Sequence, residues 1–233
     1  MTISDRVQAV RERLAAACER SGRLPAEVTL IAATKTRTPE EVLAVAEAGV
    51  TEMGENYVQE MAAKRAAIDR LGQVSVSWHM IGHLQRNKVK YVVPGLALIH
   101  SVDNLPLAQE IARRAAAARV RQPVLLEVNL AGEDSKTGIE PGRAAELAEA
   151  VAALGHVDLQ GLMCMPPYSA DPEDSRAHFR ALAALAEGLV AAGLPRESVR
   201  HLSMGMSGDY EVAVEEGATL IRLGTILFGP RSR

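Results

Sequence analysis

The sequence predicts an α/β fold: one (β/α)8 barrel of the TIM type with an extra N-terminal helix, built as a single domain over residues 1–233. Three observations lead there. Short β-type runs alternate with amphipathic helical stretches along the whole chain, and eight such runs can be counted. A length of 233 residues is ordinary for one α/β barrel and long for one sandwich or bundle. Glycine and proline fall at the joints between the two kinds of segment. Spacing alone leaves a doubly wound open sheet as the alternative, but eight strands with crossover helices in this length fit closure better.

In chain order, the pattern opens with a helix at Asp5–Ser21 and a first, apolar strand at Thr29–Thr34. A helix follows at Pro39–Ala48, with Pro39 in the first turn, where a missing N–H costs nothing. Strand two is Val50–Gly54, helix Tyr57–Leu71 comes next, and strand three is Val76–Ile81. A helix at Leu84–Val92, strand four at Ala97–Val102 and a helix at Leu105–Val120 continue the alternation. Strand five is Pro123–Leu130, followed by helix Pro141–Leu154, strand six at Asp158–Met165 and helix Pro172–Ala192. Strand seven, Arg200–Met204, helix Asp209–Glu216 and strand eight, Thr219–Gly224, close the series. Gly49, Gly72, Gly193 and Gly217 sit just past helix ends, where a left-handed residue is wanted.

Composition narrows the function classes. Apolar residues are 48% of the chain, enough for a sizeable core, and 26 basic side chains face 29 acidic ones with no long run of either sign. That balance argues against a nucleic-acid or membrane surface as the main partner. The N-terminus has no signal-type apolar region and no stretch approaches membrane-spanning length, so a soluble cytoplasmic protein is expected. Cys18 and Cys164 lie far apart without metal-ligand spacing and read as buried thiols. The Ala-rich helices show no clear hydrophobic seam, which favours a monomer.

In a barrel of this kind, functional groups gather at the C-terminal ends of the strands, and phosphates favour the loops after strands seven and eight. Lys35 directly follows the first strand and shares a face with Ile31 and Ala33, so it would enter the mouth beside small residues. There its amine could serve as a nucleophile toward a carbonyl; the plain alternative is a surface lysine opening a loop. After strand seven, Leu202-Ser203-Met204-Gly205-Met206-Ser207-Gly208-Asp209 combines small residues, hydroxyls and an imminent helix, the makings of a phosphate cradle. Gly224 and Thr225, after strand eight, can close that cradle from the other side. Either loop alone reads as an ordinary turn; their joint occurrence at these two places points to phosphate. Arg222 interrupts an apolar segment and needs a partner, a ligand or an inward carboxylate such as Glu127. Asn56 and His79 end strands and Met163 lies in Gly161-Leu162-Met163-Cys164-Met165; His79 and Met163 also fit plain core positions. Glu127 and Asn129 share a face of strand five, where an internal hydrogen bond is the simpler account.

Several longer segments carry a resemblance. Ala33-Thr34-Lys35-Thr36, Gly54-Glu55-Asn56-Tyr57-Val58-Gln59-Glu60 and Trp78-His79-Met80-Ile81-Gly82-His83-Leu84-Gln85 are followed by Asn87-Lys88, Val128-Asn129-Leu130 and Ser135-Lys136-Thr137-Gly138-Ile139. Gly161-Leu162-Met163, Leu202-Ser203-Met204-Gly205-Met206-Ser207, Arg222-Leu223-Gly224-Thr225 and Phe228-Gly229 complete the set. Together they resemble the pyridoxal phosphate homeostasis protein family, in that family's order from about residue 30 onward. The resemblance implies a barrel like the cofactor domain of alanine racemase, with pyridoxal 5′-phosphate (PLP) held by Lys35 as a Schiff base. By the same likeness Ser203, Gly205, Gly224 and Thr225 would hold the phosphate, Arg222 would face the pyridine nitrogen, and Asn56, His79 and Met163 would line the ring. Thr34, Arg37 and Gly208 depart from the residues common at those places, which puts the contacts around Ser207 in question.

An arginine at the ring nitrogen stays charged and opposes protonation there, which weakens the ring as an electron sink. No second acid/base is evident among Tyr57, Tyr91, Tyr168 and Tyr210. The expected role is therefore reversible binding of PLP that maintains its intracellular level without turnover, with apo-enzymes that use PLP as recipients. Lys136 could act as a second amine during loading, or be a solvated loop lysine. Two alternatives remain: an amino-acid racemase with an unrecognised second base, and a Schiff-base aldolase acting on a sugar phosphate.

Overall fold

Successive residues of the first strand divide between two environments: Ile31 joins an interior apolar cluster, while Ala32 packs outward among helices. That division is the period-two signature of a strand buried on both faces, and it recurs around a complete circle. The structure, a computed structural model, describes residues 1–71, 74–132 and 137–230. Strands β1 (Thr29–Ala33), β2 (Glu52–Glu55), β3 (Ser77–Met80), β4 (Leu98–Val102), β5 (Gln122–Glu127), β6 (Val157–Met163), β7 (His201–Ser203) and β8 (Leu220–Leu223) pair in chain order as a closed barrel. Every pairing is parallel, and β8 returns to β1 with Ile31 opposite Arg222. The expected (β/α)8 barrel is thus the observed fold, rather than an open sheet.

Helices α2 (Pro39–Glu47), α3 (Val58–Leu71), α4 (Leu105–Ala117), α5 (Ala144–Ala152), α6 (Arg176–Ala191) and α7 (Tyr210–Glu215) cover the outside. The extra N-terminal helix α1 (Ile3–Arg20) starts in a capping box between Thr2 and Asp5 and buries Val7, Val10, Leu14, Ala17 and Cys18, an apolar stripe at helical spacing. Its other side carries Arg13 and Arg20, which pair with Glu211 and Glu215 of α7. Cys18 and Cys164 are both buried free thiols, as expected.

The observed elements differ from the expected ones in two places that matter. The stretch Leu84–Val92 forms a 3-10 segment, Arg86–Tyr91, instead of an α-helix. Leu84, Val89 and Val92 are the buried residues of the stretch, too few and too unevenly spaced to make a continuous α-helical stripe against the barrel. A four-residue helix, α8 (Thr225–Phe228), follows β8, beyond the last expected element, which ended at Gly224. Its Leu227 and Phe228 are buried, and Arg37 stacks on the Phe228 ring at 5.1 Å. Helices α5 and α6 begin later than expected, because Pro141–Arg143 and Pro172–Ser175 form 3-10 turns ahead of them.

The barrel interior is unusual for its polarity. Ile31, Leu98, Leu125, Met163 and Leu220 form a small apolar cluster there. Beside it, His79, His100, Ser203 and Arg222 are all buried.

Candidate functional site

The parallel register brings together the residues that end β1 and β8. Ile31 lies opposite Arg222, Ala33 lies 3.7 Å from the place a Cβ would occupy on Gly224, and Lys35 stands one alternation above. Ala33, Lys35, Arg222 and Gly224 line a cavity of about 610 Å³ at the C-terminal mouth of the barrel, with Ser207, Thr225 and the rim residue Tyr168. This is the size and position expected of a site for a small molecule in this fold.

Lys35 is held there by its neighbours rather than by its own contacts. Thr34 is fully buried, and its Oγ1 donates to Glu55 Oε1 at 2.8 Å. Lys64, reaching in from α3, donates to the Thr34 carbonyl at 2.6 Å, to Glu60 at 3.2 Å and to Glu55. Glu60 in turn accepts the Thr36 N–H at 2.9 Å, while Thr36 adopts a left-handed conformation with φ 63°. A non-glycine residue in that region needs surrounding structure to hold it, and the Glu55–Lys64–Glu60 group supplies it. The backbone on both sides of Lys35 is therefore anchored.

The opposite wall is made by the loop after β7. Gly205 has φ +92°, and a Cβ there would come within 2.6 Å of the Ala213 Cβ, so only glycine lets the chain turn this tightly against α7. Asp209 Oδ1 accepts the Met206 N–H at 2.7 Å and its Oδ2 accepts from Ser175 at 2.9 Å, which pins the loop. Ser207 Oγ then accepts the Gly224 N–H at 3.2 Å, joining the two loops the sequence paired as a cradle.

Arg222 forms the floor. Its guanidinium donates to Ser203 Oγ at 2.5 Å and to the Cys164 carbonyl at 2.9 Å. It makes no ion pair among the described residues, so the carboxylate partner considered for it, Glu127, is not engaged. Burial pulls the Arg222 pKa below its ordinary value, opposed by Cys164, Glu127 and Asp209. Burial also raises the pKa of Glu127, whose Oε1 accepts from Thr137 at 2.6 Å. Ser203 passes the contact on: its Oγ lies 2.8 Å from His100 Nδ1, His100 Nε2 lies 3.0 Å from His79 Nδ1, and His79 Nε2 lies 2.7 Å from Glu52 Oε2. Among the described residues there is no His, Cys, Asp and Glu group that could hold a metal ion. No described helix is long and apolar enough to cross a membrane.

The alanine racemase N-terminal domain family matches this chain over residues 6–232. The pyridoxal phosphate homeostasis protein of Aquifex aeolicus is 45% identical across 99% of both chains, and that of Escherichia coli K12 is 35% identical across 98% of this chain and 97% of its own. The chain belongs to the pyridoxal phosphate homeostasis protein family. Among solved structures of similar shape is PipY of Synechococcus elongatus PCC7942 with PLP bound, at TM-score 0.85, 32% identity, and coverage of 97% of this chain and 100% of that one. Alanine racemase of Clostridium difficile 630 aligns at TM-score 0.70 and 13% identity, over 98% of this chain and 58% of its own, which is a likeness of fold alone.

Of the nine positions the homeostasis-family resemblance singled out, Lys35, Arg222, Gly224 and Thr225 share the walls of the cavity. Asn56, His79, Met163, Ser203 and Gly205 do not line it. Ser203 is fully buried on the inner face of β7, and its hydroxyl is engaged by Arg222 and His100. Ser207 stands in the cavity wall where Ser203 was expected. Gly205 shapes the loop from beneath, His79 lies within the barrel interior, and Met163 belongs to the interior apolar cluster. Asn56 follows β2, and its buried Oδ1 has no hydrogen-bond partner among the described residues. Lys136 lies outside the described residues. Reasoning from sequence gave no role to Lys64, Glu52 or His100. Lys64 sits in a helix where a solvated lysine is ordinary, and the other two are polar residues inside short strands.

Proposed function

We propose that this protein binds PLP at the barrel mouth, covalently through the Lys35 amine, and acts as a soluble cytoplasmic carrier that maintains the level of the cofactor without turning over substrate. The observation that carries the reading is the joint presence, in one cavity, of a lysine on an anchored turn, a two-loop cradle and a buried donor-only arginine floor. The residues fit the group: Ser207 and Thr225 offer hydroxyl donors for a phosphate in the cavity wall, with Gly224 between them. When bound, PLP supplies an aldehyde that condenses with primary amines and a pyridine ring that withdraws electrons.

The protein's own residues then divide the work. The Thr34–Thr36 turn presents the Lys35 amine to the cavity, the cradle orients the ligand by its anionic end, and Arg222 lies where a ring nitrogen would face the floor. As a donor-only cation, Arg222 opposes a proton on that nitrogen, which favours holding over carbanion chemistry. The names of the relatives and the bound PLP in PipY support the same role. Recipients would be apo-enzymes, reached through the open mouth.

The test is an absorbance spectrum of purified wild type with added PLP beside Lys35→Ala, followed by borohydride reduction and peptide mass mapping. A visible band lost in the variant, with the pyridoxyl mass on the Lys35 peptide, is expected. A wild type that stays colourless in excess PLP refutes the reading and brings the sugar-phosphate aldolase forward.

One observation favours a second reading. Tyr168 lines the same cavity as Lys35 and could act as the second acid/base of an amino-acid racemase. Its side chain is 92% exposed, however, and no packing fixes it for proton transfer. Absence of α-proton exchange across a broad panel of L- and D-amino acids would remove this reading.

A further inference from the structure

The hydrogen-bonded chain beneath the pocket has a definite direction. Arginine can only donate and a carboxylate can only accept, while a neutral imidazole carries one N–H. With Arg222 donating to Ser203 and Glu52 accepting at the far end, one assignment satisfies every contact with neutral histidines. Ser203 O–H donates to His100 Nδ1, His100 Nε2–H donates to His79 Nδ1, and His79 Nε2–H donates to Glu52. The reverse polarity requires an extra proton on the imidazole pair, a second cation in the same buried chain as Arg222.

The two ends of this chain lie in different cavities. Arg222 floors the C-terminal pocket, whereas Glu52 lines a separate cavity of about 460 Å³ at the N-terminal end, with Arg11 and Thr51. Glu52 is partly exposed there, while His79, His100, Ser203 and Arg222 are buried.

We propose that Glu52, His79 and His100 are positioning residues that hold the Arg222 guanidinium in place through Ser203, with the Glu52 carboxylate as its distant counter-charge, so that the N-terminal mouth of the barrel sets the affinity of the C-terminal pocket for PLP. The inference rests on the reading of that pocket as a PLP site. The electrostatics agree with the neutral assignment. Burial, together with the charges of His79, Arg222 and His201, holds the His100 pKa well below its ordinary value. The hydrogen bond from His79 lowers the pKa of Glu52, keeping it ionised. The remaining charged groups facing the chain are Arg200, beside His201 on β7, and Glu127 and Asp209, on the Arg222 side.

Two measurements test the proposal. Long-range proton–nitrogen NMR of the apo wild type at pH 7.5 should show His79 and His100 both neutral and protonated at Nε2. A proton at Nδ1 of either ring overturns the assigned direction. Second, PLP titration of Glu52→Gln, which keeps an acceptor for His79 but removes the charge, should give a Kd about tenfold higher than wild type, the scale of one hydrogen bond to a charged group. Glu52→Asp should recover part of that loss. A Kd within twofold of wild type in Glu52→Gln refutes the relay while leaving the PLP site standing. Failure of the wild type itself to bind PLP refutes the site reading instead. Should Glu52→Gln not fold, the NMR result on the wild type decides.

Discussion

Replacing Lys64 by methionine takes the cation out of a group in which Glu55 is fully buried and Lys64 is nearly so. Methionine matches the length of the aliphatic stem, so the loss is mainly of charge and donors. Glu55 would keep Thr34 Oγ1 at 2.8 Å and the Asn56 N–H at 3.2 Å as donors but lose its counter-ion, and the Thr34 carbonyl would lose its 2.6 Å contact. Breaking a buried pair from one side costs about 3–5 kcal/mol. For a domain of this size each kcal/mol moves the melting temperature by about 2–4 °C, so a fall of about 6–20 °C follows. The assay is thermal and urea unfolding at pH 7 of wild type, Lys64→Met and the double variant Lys64→Met with Glu55→Leu. Because the double variant leaves no uncompensated ion, it should regain a large part of the loss. A Lys64→Met shift under about 1 kcal/mol, or a double variant no better than the single one, would show that the ion pair does not anchor the Lys35 turn.

Other outcomes follow from the same geometry. Gly205→Ala forces a Cβ to within 2.6 Å of Ala213 at φ +92° and should cost about 2 kcal/mol or more in urea unfolding; a wild-type midpoint would show that the loop can relax. Ser207→Ala removes the hydroxyl that joins the two cradle loops and should weaken PLP binding about five- to tenfold by titration, with an unchanged Kd assigning the anion elsewhere. The pKa values of His100 and His201 are both lowered by burial, so the unfolded chain binds more protons than the folded one. Stability from these groups is full above about pH 6.5 and falls as the pH drops below it, by up to about 1.4 kcal/mol per unit for each group. Urea midpoints at pH 7.5, 6.5 and 5.5 should decline accordingly, and a flat series would mean the histidines titrate normally. Glu127 acts in the opposite sense, since its raised pKa gives stability below its folded value that is lost as the pH rises through it.

The barrel was legible because its signals are local and repeated. Each strand is short and apolar, each helix start or stop carries its own residue, and the count of eight does not depend on any single boundary. Lys35 and Arg222 were legible as polar residues at the edges of apolar runs. The Leu84–Val92 stretch was not, because whether a short segment winds as α or 3-10 depends on how much of it the barrel buries, and within Arg86–Tyr91 only Val89 is buried. The direction of the Ser203 hydroxyl was not legible for a related reason: strand seven is three residues long, and a hydroxyl at its end can point into the barrel or over the mouth with no change in sequence pattern. Lys64, Glu52 and His100 owe their environments to contacts across 9 to 103 residues, which no local window contains.

The stitching of α1 to α7 has a consequence for how the molecule is made. Arg13 and Arg20 of α1 bind Glu211 and Glu215, and Arg23, just beyond α1, donates to the carbonyls of Val214 and Ala218 at 2.9 and 2.8 Å. At six residues, α7 is too short to persist unaided, yet it carries the loop that faces the lysine. Helix α1 thus completes its packing only when α7 has been made, with 191 residues separating Arg20 from Glu211. A nascent chain that already displays Lys35 has no finished wall opposite it until α1 and α7 have met, so on the proposed reading the lysine meets its pocket only in the completed barrel.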